Sequence, residues 1–191
     1  MKKELTNEEI QTLMTYVETT RHSTRDKLIL TLSIKAGMKT TDIANLKVSD
    51  VLTDLCEVKH EVKLGKRNVL LNSEVRRNIE SYLTLRFRRS LEDIAHLNKM
   101  YDGHLMSLHL IANQKRGHFD LWTLPSYITK MYRAAGINTS AASGRFTYIK
   151  RLTKSGLGLA QVTALSGVTP MTMARYVDKS DVDVREVLEQ M

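Results

Sequence analysis

Two side chains in the C-terminal half of the chain could act on a phosphate group: Arg145, and Tyr176 at the end of the stretch LSGVTPMTMARY. A tyrosine hydroxyl can serve as a nucleophile in group transfer, although a lone tyrosine on a helix is more often part of a core. Arg145 follows Ser143 and Gly144, where we expect a helix to begin, and the backbone N–H groups at a helix N-terminus favour a phosphate. The sequence therefore predicts phosphate contact for Arg145 and leaves Tyr176 open between nucleophile and core residue.

Composition and charge indicate a nucleic-acid partner. The chain has 191 residues, a formal net charge of +8 and a pI near 9.6. Basic proteins gain sequence-independent affinity for nucleic acids by neutralising phosphates. The positive charges cluster in RFRR (86–89), NQKRGH (113–118) and RFTYIKRLTK (145–154). We expect DNA or RNA as the partner, with Lys150 and Arg151 of the last cluster among its contacts.

The sequence gives no support for a membrane protein or a metal protein. The best apolar run, LILTLSI (28–34), is too short for a transmembrane helix, and the start MKKELTNEE lacks the apolar stretch of a secretory signal. We therefore expect a cytoplasmic protein with no membrane contact. Cys56 is the single cysteine, and His104, His109 and His118 lack carboxylate and cysteine partners at ligand spacing. We expect neither a metal site nor a cofactor.

The first 46 residues are predicted to form three helices. Thr6 and Glu9 have the spacing of a capping box ahead of an apolar stripe with helical period. Ser23 or Thr24 is expected to cap the second helix, which a glycine ends. The stretch TTDIANL (40–46) predicts a short third helix, again with a threonine cap.

A period of two residues then replaces the helical period. Val58, His60, Val62 and Leu64 alternate with other residues, which predicts that they share one face of a strand. A turn at 65–66 and the returning segment RNVLL complete a hairpin. Helical patterns dominate the remainder, apart from a less regular segment at 90–118. The predicted fold class is mainly α with a small antiparallel β-sheet (α+β).

Several stretches of the chain follow one another in a recognisable order. LILTLSIKAGMKTTDIANLKVSDV (28–51) is an apolar helix, a glycine, a basic residue and a short helix ending in Leu-x-x-x-Asp. It is followed by VKLGKRNVLLN (62–72), by YRAAGI (132–137), and by GRFTYIKRL with SGVTPMTMARY. In this order and spacing they resemble the catalytic domain of the tyrosine recombinases (phage integrases), and the likeness extends over nearly the whole chain.

The resemblance implies a chemistry on DNA. Enzymes of that family attack a phosphodiester with a tyrosine hydroxyl and leave a 3′-phosphotyrosine. Two arginines hold the phosphate oxygens, a lysine protonates the leaving oxygen, and histidines or a tryptophan handle protons. Carried over to this chain, the nucleophile falls on Tyr176, the second arginine on Arg145 and the first arginine on Lys39. The lysine falls on Lys63 or Lys66, of which we favour Lys63.

Both family histidines are missing. Ala142 stands three residues before Arg145, and Val168 follows the glycine of the last motif. All six histidines lie at or before His118, so a small shift of the alignment restores neither. Lys39 keeps a positive charge but loses the bidentate fork of an arginine, and losing one electrostatic donor typically costs about 100- to 1000-fold in rate. The resemblance therefore implies a decayed active site, and we expect a DNA-binding repressor or accessory factor of a mobile element.

An active enzyme is the first alternative. It would be a site-specific recombinase with Tyr176 as nucleophile, Arg145 and Lys39 as the phosphate clamp, and Lys63 as general acid.

A helix-turn-helix regulator unrelated to recombinases is the second alternative. A turn after Val162 and Leu165 and a second helix from Thr169 would present Thr169, Thr172 and Arg175 to DNA. Tyr176 would then be a core residue.

The domain organisation follows from the resemblance. It implies a single catalytic domain over residues 1–191, without the separate N-terminal domain with which most of the family clamps DNA. The tail at 177–191 has apolar residues at helical spacing. We expect a helix there that docks on the body of its own chain or on a neighbouring subunit, as a homo-oligomer on DNA would require.

Overall fold

Helices make up most of the computed structural model, which describes residues 2–65, 67–100, 103–114, 117–173 and 176. Within these residues the helices are α1 (Asn7–Glu18), α2 (Ser23–Ile34), α3 (Thr40–Asn45), α4 (Val48–Val51), α5 (Ser73–Phe87), α6 (Leu91–Met100), α7 (His104–Ser107), α8 (Thr123–Ala134), α9 (Ser143–Thr153), α10 (Leu159–Ser166) and α11 (Pro170–Met173). The strands are β1 (Glu61–Leu64) and β2 (Arg67–Leu70), which pair antiparallel. The predicted fold class is confirmed.

The first helix begins and packs as predicted. The Thr6 hydroxyl accepts a hydrogen bond from the Glu9 N–H at 3.1 Å, and the Glu9 carboxylate accepts one from the Thr6 N–H at 3.1 Å. These two bonds complete the capping box. Ile10, Leu13 and Val17 are buried, and α1 packs against α2 and α8.

Helix α2 forms the centre of the core. Nearly all of its residues from Arg25 onward are buried, and it packs against α1, α3, α5 and α9. The predicted cap at Ser23 or Thr24 is wrong, because His22 occupies the N-cap position and no side chain caps the helix. Packing on several sides stabilises α2 in place of a cap, as is usual for a helix inside a domain.

Helix α3 starts one residue earlier than a threonine cap would require. Lys39 is the N-cap residue, and Thr40 already belongs to the helix. The carboxylate of Asp42 accepts the backbone N–H of Lys39 at 3.2 Å. The predicted threonine cap is therefore wrong, and the acidic residue in the first turn takes its place.

The hairpin is shorter than the alternating pattern predicts. Val62 pairs with Val69 and both are buried, whereas Lys63 pairs with Asn68 and both are exposed. Val58 forms an isolated bridge with Leu52 outside the sheet, and His60 is exposed instead of sharing the inner face.

The segment predicted to be irregular contains a regular helix, α6. The Ser90 hydroxyl accepts the Asp93 N–H at 3.1 Å, and the Asp93 carboxylate accepts the Ser90 N–H at 3.4 Å. This reciprocal pair starts the helix, and Ile94 anchors it in the core.

The predictions about membrane helices and metal sites concern the described residues, whereas the predicted tail helix does not. No helix within the described ranges is long and apolar enough to cross a membrane. Among the same residues, no group of three or more His, Cys, Asp or Glu side chains could hold a metal ion. The predicted tail helix at 177–191 lies outside the described residues, as do Lys66 and Arg175.

Candidate functional site

Four elements meet around a cavity of about 380 Å³ that we call the arginine pocket. It lies between the start of α3, the β1–β2 hairpin, α9 and α10. The residues that line it are Lys39, Asp42, Leu64, Arg67, Arg145, Thr163, Ala164 and Gly167. Three of these side chains are basic and one is acidic, so the lining carries a net positive charge.

Arg145 enters the pocket from the first turn of α9. Its guanidinium donates to the carbonyl of Gly37, and its Nη2 donates to the carbonyl of Ser166 at 2.7 Å. The backbone of Gly37 also packs directly on the ring of Tyr148, and a Cβ at this position would overlap that ring. Burial lowers the pKa of Arg145 from its ordinary value, and the positive charge of Arg67 lowers it further. Arg145 is therefore held rigidly and partly out of water.

Arg67, which the sequence reading did not single out, enters the same pocket from the first residue of β2. Its Nη1 donates to the Ser166 carbonyl at 2.9 Å, and its Nη2 pairs with a carboxylate oxygen of Asp42 at 2.9 Å. The side chain is only 10% exposed. Two guanidinium groups from different elements thus donate to one carbonyl oxygen, that of Ser166 at the C-terminus of α10.

Strand alternation was the signal that could have identified Arg67. Arg67, Val69 and Leu71 share one face of the returning strand, and the two apolar residues are buried. Asp42 was missed as well, although it stands three residues after the Lys39 N-cap, where a capping carboxylate is expected.

The two predicted lysines are placed differently. Lys39 is exposed and lines the pocket, as its position at the N-cap of α3 allows. Lys63 is exposed on β1 and is absent from the pocket lining, whereas its neighbour Leu64 belongs to that lining. The geometry thus groups Lys39 with the arginines and leaves Lys63 on the outer face of the hairpin.

Tyr176 packs beside the pocket without lining it. Its ring lies 5.2 Å from that of Phe146, and the Nζ of Lys2 lies 5.1 Å from the Tyr176 ring centroid. It is half-buried against a small apolar cluster that includes Ile149, and its backbone N–H donates to the Met173 carbonyl at 2.8 Å. Its phenol is nevertheless close enough to influence the pKa of Arg145.

The two positions at which the family resemblance implies histidines hold no proton-transfer group. Ala142 is the exposed N-cap residue of α9, and Val168 packs on the same small cluster as Tyr176. None of the described residues that line the arginine pocket is a histidine. The rings of His109 and His118 stack with their centroids 4.1 Å apart, and neither residue lines the pocket.

The remaining residues predicted to contact DNA differ in their exposure. Thr169 and Thr172 flank the start of α11, with their hydroxyls 2.9 Å apart and that of Thr169 on the exposed side. Arg151 is half-buried and donates to Asn7 at 2.7 Å. The predicted contact through Lys150 is wrong, because this side chain is 4% exposed on the inner side of α9.

Comparison with known proteins agrees with this architecture. The phage integrase family model matches residues 3–182. Transposase A from transposon Tn554 of Staphylococcus aureus is 24% identical over 178 residues, which cover 86% of this chain. The match covers 46% of the transposase, so the chain spans about half the length of the curated relatives it matches.

Solved structures show the same fold at low identity. The XerA recombinase matches with a TM-score of 0.69 and 22% identity over all of this chain and 65% of its own. The Tn1549 transposon integrase in complex with circular intermediate DNA matches with a TM-score of 0.68 and 14% identity, over all of this chain and 66% of its own. The XerH recombinase bound to its difH substrate matches with a TM-score of 0.64 and 18% identity, over 98% of this chain and 53% of its own. Because the family model extends over almost the entire sequence, this protein belongs to the phage integrase family, whose fold is that of the tyrosine recombinases.

Proposed function

We propose that this chain binds double-stranded DNA by holding a backbone phosphate in the arginine pocket, and that it cleaves DNA poorly or not at all. Its role would be that of a repressor or accessory factor of a mobile element. The observation that carries the proposal is the basic lining of the arginine pocket. Two guanidinium groups and Lys39 line it, whereas Ala142 and Val168 stand where the family resemblance implies histidines.

The basic lining supports phosphate binding. Each guanidinium has five N–H donors, and Arg145 and Arg67 each use two hydrogen bonds within the described residues. The remaining donors can hold the non-bridging oxygens of a phosphate, and charge-assisted bonds of this kind are the strong ones. Lys39, exposed at the mouth, adds a point charge.

In the part of the chain that the structure describes, the pocket lining offers no histidine or tryptophan for proton transfer, which supports slow cleavage or none. A tyrosine nucleophile must lose its proton and the leaving oxygen must gain one, and both transfers need positioned acids and bases. Among the described residues lining the pocket, the only ionisable groups are Lys39, Asp42 and the two arginines. Each missing electrostatic or proton-transfer group typically lowers the rate by about two to three orders of magnitude.

The relatives support a connection to mobile DNA. Transposase A of Tn554 and the integrase of Tn1549 are named for transposons, and the Tn1549 integrase was solved with circular intermediate DNA. We propose the same setting for the present chain, which is 24% and 14% identical to these two proteins.

A nicked duplex that carries the protein's own binding site, selected from genomic fragments, tests the proposal. The nick lets the cleaved end diffuse away, so that any covalent intermediate accumulates. After denaturation, we expect no protein attached to the 3′ end of the DNA, although the native protein binds the duplex. Tyr176→Phe should bind with unchanged affinity, because only a hydroxyl is lost.

An active recombinase is the second candidate, favoured by the position of Tyr176. Its ring packs on Phe146, the residue next to Arg145, and its phenol influences the pKa of Arg145. A covalent adduct formed by the wild type and lost in Tyr176→Phe would identify this function. Such an adduct would contradict the proposal that the protein is an inactive regulator.

A further inference from the structure

Arg67 belongs to the pocket by geometry, although no motif of the sequence marked it. Its guanidinium and that of Arg145 donate to the same Ser166 oxygen, at 2.9 and 2.7 Å. Lys39, at the mouth of the same pocket, has an ammonium and not a guanidinium fork. The pocket therefore contains two forks, and one of them comes from the hairpin.

We propose that Arg67 supplies the second guanidinium of the phosphate site and so replaces the fork that Lys39 lacks. This inference rests on the proposed binding of DNA. It assigns the clamp on the phosphate to Arg67 and Arg145, with Lys39 as an auxiliary charge.

The surroundings of Arg67 fix its fork in one orientation. The Asp42 carboxylate pairs with its Nη2, and Asp42 is itself held by the backbone N–H of Lys39. Gly167 borders the other side, where a side chain would overlap the Cδ of Arg67. A side chain fixed in this way loses little conformational freedom on binding an anion, which favours affinity.

The charges of the pocket favour an anion between the two forks. Lys39, Arg67 and Arg145 line the pocket together with a single carboxylate, that of Asp42. Like charges at short distance repel each other, and the repulsion is strongest where water is excluded. A bound phosphate oxygen relieves this repulsion and accepts donors from both guanidinium groups.

A purely structural role is the competing explanation. Both arginines satisfy a carbonyl at the C-terminus of α10, where positive charge is favourable. The two explanations differ in one respect. An arginine introduced at Lys39 can restore a phosphate clamp, whereas from the start of α3 it does not restore the packing of β2 against α10.

The test measures binding to a short fluorescent duplex of mixed sequence by anisotropy, at salt concentrations from about 50 to 200 mM. The variants are Arg67→Ala, Lys39→Arg and their combination. Arg21→Ala is the matched control, because Arg21 is exposed at the opposite end of α2 from the pocket. Thermal unfolding of each variant is measured in parallel.

We expect Arg67→Ala to weaken binding about tenfold or more, as the loss of charge-assisted bonds predicts. The dependence of log affinity on log salt should fall by about one unit, the value of one phosphate contact. Adding Lys39→Arg should restore most of both losses without restoring the melting temperature. Arg21→Ala should change neither quantity appreciably.

An unchanged salt dependence in Arg67→Ala, or a binding defect that Lys39→Arg does not correct, would overturn the inference and leave Arg67 as a packing residue. If Arg67→Ala does not fold, Arg67→Lys decides. It should bind several-fold more weakly than the wild type because the fork is lost, and equal affinity would contradict the proposal. Failure of the wild type to bind any duplex, by contrast, refutes the proposed function itself.

Discussion

Gly167 leaves the space that the Arg67 side chain occupies beside the arginine pocket. It ends α10 at φ +64°, a left-handed conformation that side chains disfavour, and its backbone lies against Arg67. We expect Gly167→Ala to lower the free energy of unfolding by about 1–2 kcal/mol through this strain. It should also weaken DNA binding, because the new methyl group displaces the Arg67 side chain. Urea unfolding and duplex anisotropy measure the two effects.

Gly136 provides the control for the backbone. Its φ is +78°, also left-handed, but no atom lies within 4 Å of a Cβ added there. Gly136→Ala should therefore cost a similar strain of about 1–2 kcal/mol and leave DNA binding unchanged. If Gly167→Ala and Gly136→Ala bound DNA equally well, the position of the Arg67 side chain would not matter for binding, which contradicts the proposed clamp.

At the level of residues, the sequence pointed to the pocket residues that belong to a local pattern or motif. Arg145 was named because it follows the expected start of a helix, and Lys39 because the family resemblance placed it at the first arginine position; both line the arginine pocket. Arg67 could not be assigned in the same way, because its role arises from a contact with Ser166, 99 residues away in the chain. Lys150 was misassigned for a related reason, since a cluster of basic residues does not reveal which face of α9 is buried.

At the level of elements, reciprocal capping bonds mark where α1 and α6 begin. Those of α1 join Thr6, which is exposed, to Glu9, which is partly exposed. Thr6→Ala should lower the free energy of unfolding by about 1 kcal/mol, because the Glu9 N–H loses its acceptor. Chemical denaturation gives the value.

Thr15 in the same helix is the matched control for Thr6. It is exposed in the middle of α1, where alanine is the better helix former. Thr15→Ala should therefore leave stability unchanged or raise it slightly. If both variants lost the same free energy, loss of the cap would not explain the effect at Thr6.

Helices and strands were predicted well where a single periodic pattern of apolar residues extends over the whole element. The stripe of α1 and the hairpin partners Val62 and Val69 follow directly from periodicity. The helix α6 was missed because its box, Ser90 with Asp93, precedes a segment with only one buried apolar residue, Ile94. Its cap was visible in the sequence, as was the helical spacing of Leu91, Ile94 and Ala95.

At the level of the whole molecule, a buried polar network joins α2 to α8. Arg25 and Asp26 are paired at 2.8 Å and almost fully buried. The Tyr127 hydroxyl donates to Asp26 at 2.8 Å and accepts from Arg25 at 2.6 Å. A buried ion pair is costly unless its remaining positions are hydrogen-bonded. The Tyr127 hydroxyl, which comes from α8, meets that requirement, so the link between the two helices depends on the protonation of one phenol.

The protonation of Tyr127 makes stability depend on alkaline pH. Burial, together with the hydrogen bond to Asp26, raises the pKa of Tyr127 to about 12, above the ordinary value of about 10 in an unfolded chain. The folded state therefore retains a proton that the unfolded state loses between about pH 10 and 12. The contribution of Tyr127 is complete below pH 10 and disappears as the pH rises through 12.

Tyr127→Phe isolates this contribution. The variant lacks the phenol, so below pH 10 it should be less stable than the wild type, and the difference should shrink steadily from about pH 10 to 12. Burial also raises the pKa of Tyr132 and of Tyr148, but both residues remain in the two proteins and cancel in the comparison. Urea unfolding at several pH values across this window measures the difference. Parallel stability curves would mean that Tyr127 titrates as an exposed tyrosine and that the network does not hold its proton.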